Sequence, residues 1–437
     1  MIPRFTTEEM AGLWSETNKY QFWLKVEQAV ARAQAQIGVI PKSAYRKIAK
    51  AKFNLKQIAK YEAKTKHDLV AFLRSVETSL GPEAKYFHFG LTSYDIVDTA
   101  LSLRLIKACD YIIQAISELL VTIQRLAIAH KETIMIGRTH GMYAQPITFG
   151  FKCLSWYEEL ARNLARIQQV REDLRFGKIA GAVGTYATVS PQVEALALKE
   201  LGLKPEPVAT QVIPRDRHAE LLANLAILAG GLERIATEIR NLQRSDIAEL
   251  AEPFAPGQTG SSAMPHKKNP ELSERICGLA RIVRANALAG LETIALWHER
   301  DLTNSSVERI TLPDSTTLIH YMIKLLNKIL TGLVVYPSRM AKNLAQSLDQ
   351  YFSQNLMLAL LKKKMAKTTA YRLTQKLSFA SSEKKLSFKE LAMKNSQVKK
   401  YLTAKELEKV FDLKLLLRNI DYIYKRVNLK KEGESDD

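Results

Sequence analysis

One segment of the sequence concentrates side chains that are capable of acid–base chemistry. Residues 252–270 read EPFAPGQTGSSAMPHKKNP and hold Ser261, Ser262, His266 and Lys267 between two helical patterns. These side chain types can take up or release protons, and a lysine can also hold a carboxylate or a phosphate. The glycines of the segment permit movement, which predicts a lid that closes over a substrate. An ordinary linker between domains is the alternative interpretation.

Further interruptions of the helical pattern also carry histidines, hydroxyls and cations. They are TKHD at 65–68, KYFHFGLTSYDIVD at 85–98, IGRTHGMYAQP at 136–146, TQVIPRDRH at 210–218 and HERDLTNSSVER at 298–309. Histidines grouped with hydroxyls and cations in loops indicate acid–base work more strongly than a lone helical histidine does. Thr92 and Ser93, at the start of a long helical pattern, have a second interpretation as helix caps.

Several kinds of site are excluded by the motifs that the sequence lacks. There is no HExxH motif, no acidic cluster and no histidine pair at i, i+4, so we expect no metal. There is also no GxGxxG and no GxxxxGK[ST], the usual signs of a dinucleotide or a P-loop nucleotide site. The sequence therefore predicts a site without cofactors.

The charge balance predicts a polyanionic partner. Lysine and arginine total 64 against 45 acidic residues, which gives a net charge of +19. Nucleic acid, an acidic membrane and a phosphorylated or carboxylated small molecule all fit this surplus. The three cysteines are far apart, as in a reduced protein, and the N-terminus lacks the order of a signal peptide. We therefore expect a cytoplasmic location.

Long helical patterns dominate the chain and predict an all-α fold. They run over 93–130, 151–176, 217–250, 271–299 and 314–333, and helices of this length normally bury their apolar stripes in a bundle, often one shared between subunits. We divide the chain into an N-terminal helical domain (1–92), a central long-helix bundle with a flexible loop at 257–270 (93–350) and a basic C-terminal helical domain (351–437). The last residues, 430–437, are expected to be frayed.

The loop sequence resembles a known family signature. Residues 260–270, GSSAMPHKKNP, are similar to the flexible-loop motif of the fumarase/aspartase superfamily, whose members release fumarate from a succinyl-bearing substrate. The neighbouring GRTH, TKHD, HFGLTSYDIVDTA and HERDLTNSSVER segments resemble the adenylosuccinate lyase branch of that superfamily. The resemblance extends from Arg4 to about residue 315.

This resemblance implies a fold, an assembly and a reaction. The family is an all-α homotetramer whose central bundle is completed by tetramerisation, and each active site is built from three subunits. Its members eliminate fumarate from adenylosuccinate, giving AMP, and from the succinylocarboxamide imidazole ribotide of purine biosynthesis, giving its carboxamide. They use no metal or organic cofactor.

The resemblance also assigns roles to residues. Ser261 would be the general base and His140 the general acid, since an imidazole with its ordinary pKa of about 6.5 can deliver a proton near neutral pH. A serine hydroxyl must act as an alkoxide, stabilised by loop backbone N–H groups and by Lys267 once the lid excludes water. Lys267 and Asn269 would hold the succinyl carboxylates, and Glu274 would orient a histidine.

The remaining positions would bind the substrate or support catalysis. The supporting catalytic set is His67, His88, Lys267 and Glu274. The substrate-binding set is Arg4, Phe5, Lys66, His67, Asp68, Thr92, Ser93, Gln211, Ser262, Lys267, Asn269, Arg300, Ser305 and Arg309. Within it, Arg4, Arg300, Ser305 and Arg309 would form the phosphate and ribose clamp. Phe5 departs from the family, which commonly has a tyrosine there, so one phosphate hydrogen bond is lost or supplied by water.

Three alternatives stay open on the sequence alone. The first is another fumarate-releasing member of the superfamily, such as argininosuccinate lyase. The second is a nucleic-acid-binding protein, which the net charge favours although no nucleic-acid module is recognisable. The third is a catalytically silent relative, against which the intact set of Ser261, His140 and Lys267 speaks.

Overall fold

The computed structural model describes residues 2–255, 257–427 and 429, and their regular structure is overwhelmingly helical. The all-α prediction is confirmed. The tail at 430–437, for which fraying is predicted, lies outside the described residues. The helices are α1 (Glu8–Trp14), α2 (Glu16–Gln36), α3 (Lys42–Ile48), α4 (Leu55–Thr65), α5 (Asp68–Glu77), α6 (Ser93–Ala129), α7 (Phe149–Asp173), α8 (Pro191–Leu201), α9 (Asp216–Gln243), α10 (Glu271–Glu292), α11 (Thr303–Thr331), α12 (Pro337–Ala345), α13 (Ser353–Lys362), α14 (Lys367–Lys384), α15 (Phe388–Lys394), α16 (Ser396–Tyr401), α17 (Ala404–Val410), α18 (Leu413–Leu417) and α19 (Ile420–Val427).

The helix that follows the 298–309 segment begins earlier than the sequence predicts. The pattern places its start at 314, directly after Pro313, but α11 begins at Thr303 and carries Pro313 inside it. Proline removes one backbone donor within a helix. In the next turn, Thr316 Oγ1 donates to the carbonyl of the fully buried Leu312 at 2.7 Å. As a result, Ser305 and Arg309 lie on helical turns and not in a loop.

The described chain divides into two compact units that are each assembled from separate segments. Unit 1 comprises 1–119, 161–234 and 275–326, and unit 2 comprises 120–160, 235–274 and 327–437. Unit 1 contains an aromatic core in which Tyr20 stacks on Phe72 with ring centroids 5.6 Å apart and Trp23 meets Phe72 edge-on. The predicted division at residues 92 and 350 follows the chain and stays a proposal.

Unit 2 has its own small core near its C-terminal end. Phe352, Leu356, Leu360, Phe388 and Phe411 are buried there, and the Phe411 ring packs edge-on against both Phe352 and Phe388. Aromatic pairs in this geometry add to the stabilisation that comes from burial alone. The basic C-terminal segment is therefore a packed helical body as far as the described residues extend.

Short strands accompany the helices and correct one expectation. The 136–146 segment, expected to be a loop, lies in an antiparallel hairpin of β1 (Ile134–Thr139) and β2 (Met142–Thr148). The sequence does not reveal these strands, because their alternation is brief and a bulge interrupts the pairing between Ile136 and Arg138. The other strands are two residues long: β3 (Phe176–Gly177) pairs with β4 (Lys204–Pro205), and β5 (Leu250–Ala251) pairs with β6 (Val334–Val335).

Helix α6 is the one described helix that is long and apolar enough to cross a membrane, by length and composition only. A bundle helix meets the same criteria. Ile96, Ile112, Ile116 and Ile123 of α6 are fully buried against the rest of the chain. Burial of this stripe is the behaviour of a bundle helix.

Candidate active site

The signature loop surrounds the Ser261 hydroxyl with backbone donors. Ser261 Oγ accepts hydrogen bonds from the N–H groups of Met264, at 3.1 Å, and Ala263, at 3.4 Å. The loop is closed on itself by Asn269, whose Nδ2 donates to the Gly260 carbonyl at 2.9 Å. Donors that point at an oxygen stabilise negative charge on it. Ser261 is therefore held where its anionic form would be favoured.

The Gln243 and Glu252 side chains fix the two ends of this loop. Gln243, the last residue of α9, donates from Nε2 to the Lys268 carbonyl at 3.1 Å and accepts the Glu252 N–H at 2.8 Å. Glu252 in turn accepts the N–H groups of Ser273, at 2.7 Å, and Leu272, at 3.2 Å, at the start of α10. A carboxylate at a helix N-terminus satisfies donors that would otherwise lack a partner. The loop is thus anchored at both ends.

A cationic cavity of 650 Å³ opens beside the loop within unit 2. Arg240 of α9 and Arg244, which directly follows that helix, contribute cations from one side. The loop contributes His266, Lys267, Lys268 and Asn269, and Glu274 lines the cavity from the first turn of α10. Several cations against one carboxylate make this cavity suitable for a dicarboxylate.

His140 lies at the two-residue turn of the hairpin. Its φ is +55° and that of Gly141 is +76°, so both turn residues adopt the left-handed conformation of tight hairpin turns. The His140 side chain is exposed. Among the described residues of one chain, no hydrogen bond or ion pair joins His140 to Ser261.

Unit 1 brings several of the predicted substrate-binding residues into contact. Arg309 Nη2 donates to Asp68 Oδ2 at 2.7 Å, and Arg309 Nε lies 3.4 Å from Ser305 Oγ. Burial would raise the pKa of Asp68, but Arg309 beside it, with Lys19, lowers that pKa below its ordinary value. Asp68 is therefore an anion that holds the Arg309 side chain in place.

The second clamp arginine is held by a ring and an amide. The Arg300 guanidinium lies 3.4 Å from the centroid of the Tyr94 ring, and its Nη1 donates to Gln211 Oε1 at 2.9 Å. The Tyr94 hydroxyl hydrogen-bonds Ser305, which connects the two arginines. Arg300 Nε and Nη2 are buried and make no hydrogen bond to the described protein.

A buried charge network joins α6, through Asp98, to the start of α11, through Glu308. Arg215 donates from Nη2 to Asp98 Oδ1 at 2.7 Å and from Nη1 to Asp98 Oδ2 at 2.8 Å, and its Nε lies 3.0 Å from Glu308 Oε1. Asp98 already pairs with this guanidinium, so Glu308 is a second buried carboxylate on one cation. Burial raises the pKa of Glu308 to about 7, although Arg215 opposes the shift. Neither this network nor Tyr94 is in the sequence-based set of site residues.

The TKHD segment is the tight connection between α4 and α5. Lys66 ends α4 with a φ of +54°, and His67 precedes α5, with Nδ1 3.5 Å from the Val70 N–H. Thr92 and Ser93 lie at the start of α6, where the Thr92 N–H donates to Asp95 Oδ2 at 2.8 Å. Asp95 Oδ1 also accepts from the fully buried Lys178 at 2.6 Å. The segment before α6 is therefore fixed by Asp95.

The other histidines differ sharply in their surroundings. His88 Nδ1 lies 2.6 Å from the buried Glu27 carboxylate. Burial lowers the pKa of His88, but Glu27 more than offsets this, and the net shift is upward. His218 is fully buried with neither ring nitrogen hydrogen-bonded in the described chain, and burial together with Arg215 lowers its pKa to about 3. His88 is thus an ion-pair partner, while His218 is neutral.

The remaining predicted residues lie outside these groups of contacts. Arg4 is exposed in the short 3₁₀ helix Pro3–Phe5, and the Phe5 ring packs against Tyr321 with centroids 5.7 Å apart. Ser262 is exposed in the loop. Among the described residues, no group of three or more His, Cys, Asp or Glu side chains is arranged to hold a metal.

Comparison with known proteins decides the family. A family model described as "Lyase" matches residues 4–285, and one described as "Adenylosuccinate lyase C-terminus" matches residues 349–427. Adenylosuccinate lyases from Aquifex aeolicus, Synechocystis and Bacillus subtilis are 48%, 47% and 42% identical, each over 98% of this chain and at least 99% of the relative. The chain belongs to the adenylosuccinate lyase family. It is a lyase. These relatives do not support the two alternatives that the sequence left open, argininosuccinate lyase and a nucleic-acid-binding protein.

Solved structures confirm the fold. A fumarate lyase from Mesorhizobium matches with a TM-score of 0.89 at 25% identity, covering 98% of this chain and 99% of that one. A 3-carboxy-cis,cis-muconate lactonizing enzyme from Pseudomonas putida matches with a TM-score of 0.88 at 27% identity, covering 97% and 96%. The adenylosuccinate lyase fold thus lies within a wider group of structurally similar lyases and lactonizing enzymes.

Proposed function

We propose that this chain eliminates fumarate from adenylosuccinate, giving AMP, and from the succinylocarboxamide imidazole ribotide of purine biosynthesis, giving its carboxamide. The observation that carries the proposal is the identity of 42–48% to adenylosuccinate lyases over almost the whole chain. The two substrates share a ribose phosphate and a succinyl group, and so require the same clamps. We expect the protein to act in the cytoplasm.

Ser261 is the general base of the proposed mechanism. As an alkoxide it removes a proton from the succinyl carbon next to a carboxylate, and the electron pair spreads onto that carboxylate. Two features support this role: the N–H groups of Ala263 and Met264 point at Ser261 Oγ, and Lys267 lines the adjacent cationic cavity. Such donors stabilise both the alkoxide and the extra charge of the intermediate.

His140 is the general acid. The carbon–nitrogen bond breaks as the electron pair returns to form the fumarate double bond, and His140 delivers its proton to the departing nitrogen. Its exposure at the turn of a hairpin supports this role, because an acid must reach a substrate bound elsewhere. The elimination is not a redox reaction and passes no chemical group to a carrier, so we expect neither a metal nor an organic cofactor to take part.

The substrate would be held at both ends. Lys267 and Asn269, with Arg240 and Arg244 nearby, would bind the succinyl carboxylates. Arg300 offers two unpaired donors to the phosphate, joined by Arg4, Ser305 and Arg309. Phe5 would lie beside Arg4 at the phosphate, and Ser262 would also contact the substrate. The base and the succinyl group would be surrounded by Lys66, His67, Asp68, Thr92, Ser93 and Gln211, and His67, His88 and Glu274 would support the catalytic pair.

We further propose a homotetramer in which different subunits complete each site. Large apolar side chains of unit 1 remain exposed on a single chain, among them Leu288 at 63%, Trp297 at 78% and Ile310 at 66%. Large apolar side chains that stay exposed on one chain are typical of a protein interface. The absence of contact between Ser261 and His140 within one chain fits a site shared between subunits.

A fumarate-release assay with both substrates tests the activity. Ser261→Ala and His140→Ala should each lower kcat by about 10²-fold or more, since each removes one acid–base group. Ser396→Ala, at an exposed position in the C-terminal part, is the matched control and should leave kcat unchanged. A wild-type protein that releases no fumarate from either substrate contradicts the function, whereas near-normal turnover in either site variant contradicts only the assignment of roles.

Mixing the two inactive variants tests the shared site. If Ser261 and His140 of one site come from different subunits, tetramers that re-form from equal amounts of the two variants contain about a quarter of their sites with both wild-type groups. Activity should therefore return to about that fraction of the wild-type value. No recovery after demonstrated subunit exchange would mean that both groups come from one chain.

A further inference from the structure

The hairpin that carries His140 depends on contacts outside itself for its orientation. Its two strands, β1 and β2, are six and seven residues long, and an isolated two-stranded hairpin is at best marginally stable. The left-handed turn sets the direction in which the His140 side chain leaves the backbone, and the direction of the turn follows from the strands. Whatever holds the strands in place therefore determines where the imidazole points.

A buried ion pair holds the strand next to the turn. Arg138, two residues before His140, donates from Nη1 to Glu249 Oε2 at 3.0 Å and from Nη2 to Glu249 Oε1 at 2.8 Å. The Glu249 side chain is completely buried, and its Oε1 also accepts from Asn343 Nδ2 at 2.8 Å. Both carboxylate oxygens of Glu249 are therefore occupied. A planar guanidinium bound at two points fixes orientation as well as distance.

The shape of the hairpin directs the Arg138 side chain toward Glu249. The bulge between Ile136 and Arg138 shifts the register, and Gly137 at the bulge is closely packed, since a Cβ there would lie 2.5 Å from the Gln145 carbonyl oxygen. Bulges of this kind redirect a side chain from its regular position on a strand. On the far side of the bulge, Arg138 pairs with Tyr143, whose ring lies 5.7 Å from the guanidinium.

The acidic end of the pair is itself rigidly held. The Glu249 N–H donates to the Leu242 carbonyl at 2.8 Å, and the Glu249 carbonyl accepts from the Tyr336 N–H at 3.0 Å. Asn343 and Arg339 of α12 both donate to the Ile247 carbonyl, at 2.8 and 2.9 Å. The carboxylate thus joins the hairpin to the segment after α9 and to α12, all within unit 2.

We propose that Arg138, Glu249 and Asn343 are positioning residues that orient His140 for proton transfer. This inference rests on the proposed role of His140 as the general acid. A buried ion pair contributes little net stability compared with an apolar pair of the same size, so its value here lies in geometry. Displacement of a catalytic group by about 1 Å can lower a rate by about 10²-fold.

The first experiment separates kcat from KM. The double variant Arg138→Met with Glu249→Gln removes both charges together and so leaves no unpaired buried ion. We expect kcat for adenylosuccinate to fall about 10-fold or more, with KM changed by less than about 3-fold and the tetramer retained. Arg138→Lys, which keeps one contact to Glu249, should recover part of the loss. The exposed pair Lys389–Glu408, at 2.8 Å in the same unit, is the control: Lys389→Met with Glu408→Gln should leave kcat unchanged.

The second experiment distinguishes positioning from a structural role. In a His140→Ala background there is no imidazole to orient, so adding Arg138→Met and Glu249→Gln should cost no further activity. A slower proton delivery in the histidine-containing double variant should also increase the solvent deuterium isotope effect on kcat. An equal fold-loss in both backgrounds, or an unchanged kcat with His140 present, overturns the inference. Normal turnover of His140→Ala alone would instead refute the role of His140.

Discussion

Glu308 lies one residue before Arg309 of the proposed phosphate clamp and shares the Arg215 guanidinium with Asp98. Asp98 pairs with both Nη groups of Arg215. Burial would raise the pKa of Asp98, but Arg215 more than offsets this, so the pKa is lowered and Asp98 remains ionised. Glu308 has only the Nε side of that cation and a hydrogen bond from Asn304 at 3.1 Å. One guanidinium does not fully compensate two buried carboxylates, so the second one titrates near neutral pH.

This arrangement predicts a pH dependence of stability. The pKa of Glu308 in the folded chain, about 7, lies above the ordinary 4.5, so its protonated form stabilises the fold below pH 4.5 and that stabilisation is lost as the pH rises through 7. Glu308→Gln mimics the protonated form. Relative to this variant, the wild-type free energy of unfolding should fall by about 1–3 kcal/mol between pH 5 and pH 8.

Thermal unfolding of both proteins at several pH values and one protein concentration measures this difference. Gln375→Glu, at an exposed position of α14, is the control, because it adds an exposed titrating carboxyl in unit 2 while Arg215 and Glu308 belong to unit 1. Curves for wild type and Glu308→Gln that stay parallel across the range would refute the raised pKa.

At the scale of elements, the signature loop is built around a close backbone approach at Gly260. A Cβ at this position would lie 2.3 Å from the Lys267 carbonyl oxygen and 3.1 Å from the Phe254 ring. Gly260 also accepts the Asn269 hydrogen bond that closes the loop. The residue before Ser261 therefore has to be a glycine for the loop to fold over the hydroxyl.

Gly260→Ala should consequently separate activity from stability. The added methyl group forces Lys267 and its neighbours away, which should lower kcat by about 10-fold or more while changing Tm by only about 2 °C, since the loop is exposed and adds little to the core. Steady-state kinetics and calorimetry on the same preparation check both values. Gly257→Ala, where nothing lies within 4 Å but φ is +80°, tests backbone conformation without the steric contact. Wild-type kcat in Gly260→Ala would show that the closed loop is dispensable.

The elements differ in how far the sequence predicts them. The long helices α6 and α7 have sustained apolar periodicity, and the Gly–Ser–Pro-rich break identifies the loop of Ser261. The hairpin is too short and too interrupted to reveal its alternation. Arg138 with Glu249 and Asp98 with Arg215 are 111 and 117 residues apart, and nothing in a sequence pattern states that such distant charges meet in a buried pair.

At the scale of the whole molecule, exposed apolar side chains of unit 1 predict how the assembly is held together. Leu288 and Leu291 of α10, three residues apart and so on one face of the helix, are 63% and 49% exposed on one chain. Burial of a leucine contributes about 1.5–3 kcal/mol, and a buried unpaired charge costs more than that. The apolar face of α10 is therefore the place where one substitution acts on assembly.

Leu288→Lys should dissociate the proposed tetramer and abolish activity with it. Light scattering after size-exclusion chromatography gives the mass, and fumarate release at several protein concentrations gives the activity. Leu386→Lys, at a residue 42% exposed in unit 2, is the control and should leave both unchanged. A fully active, tetrameric Leu288→Lys protein would remove this face from the interface.

The contact of the last described helix has a practical consequence for handling the protein. Tyr424 Oη donates to the Ala127 carbonyl at 2.7 Å, Asp421 pairs with Lys131 at 2.5 Å, and a Cβ on Gly150 would lie 2.3 Å from the Tyr424 hydroxyl. Helix α19 thus packs against the residues that precede and follow the His140 hairpin. A C-terminal truncation that removes α19, or a tag that displaces it, is for this reason expected to loosen the base of the hairpin that carries His140.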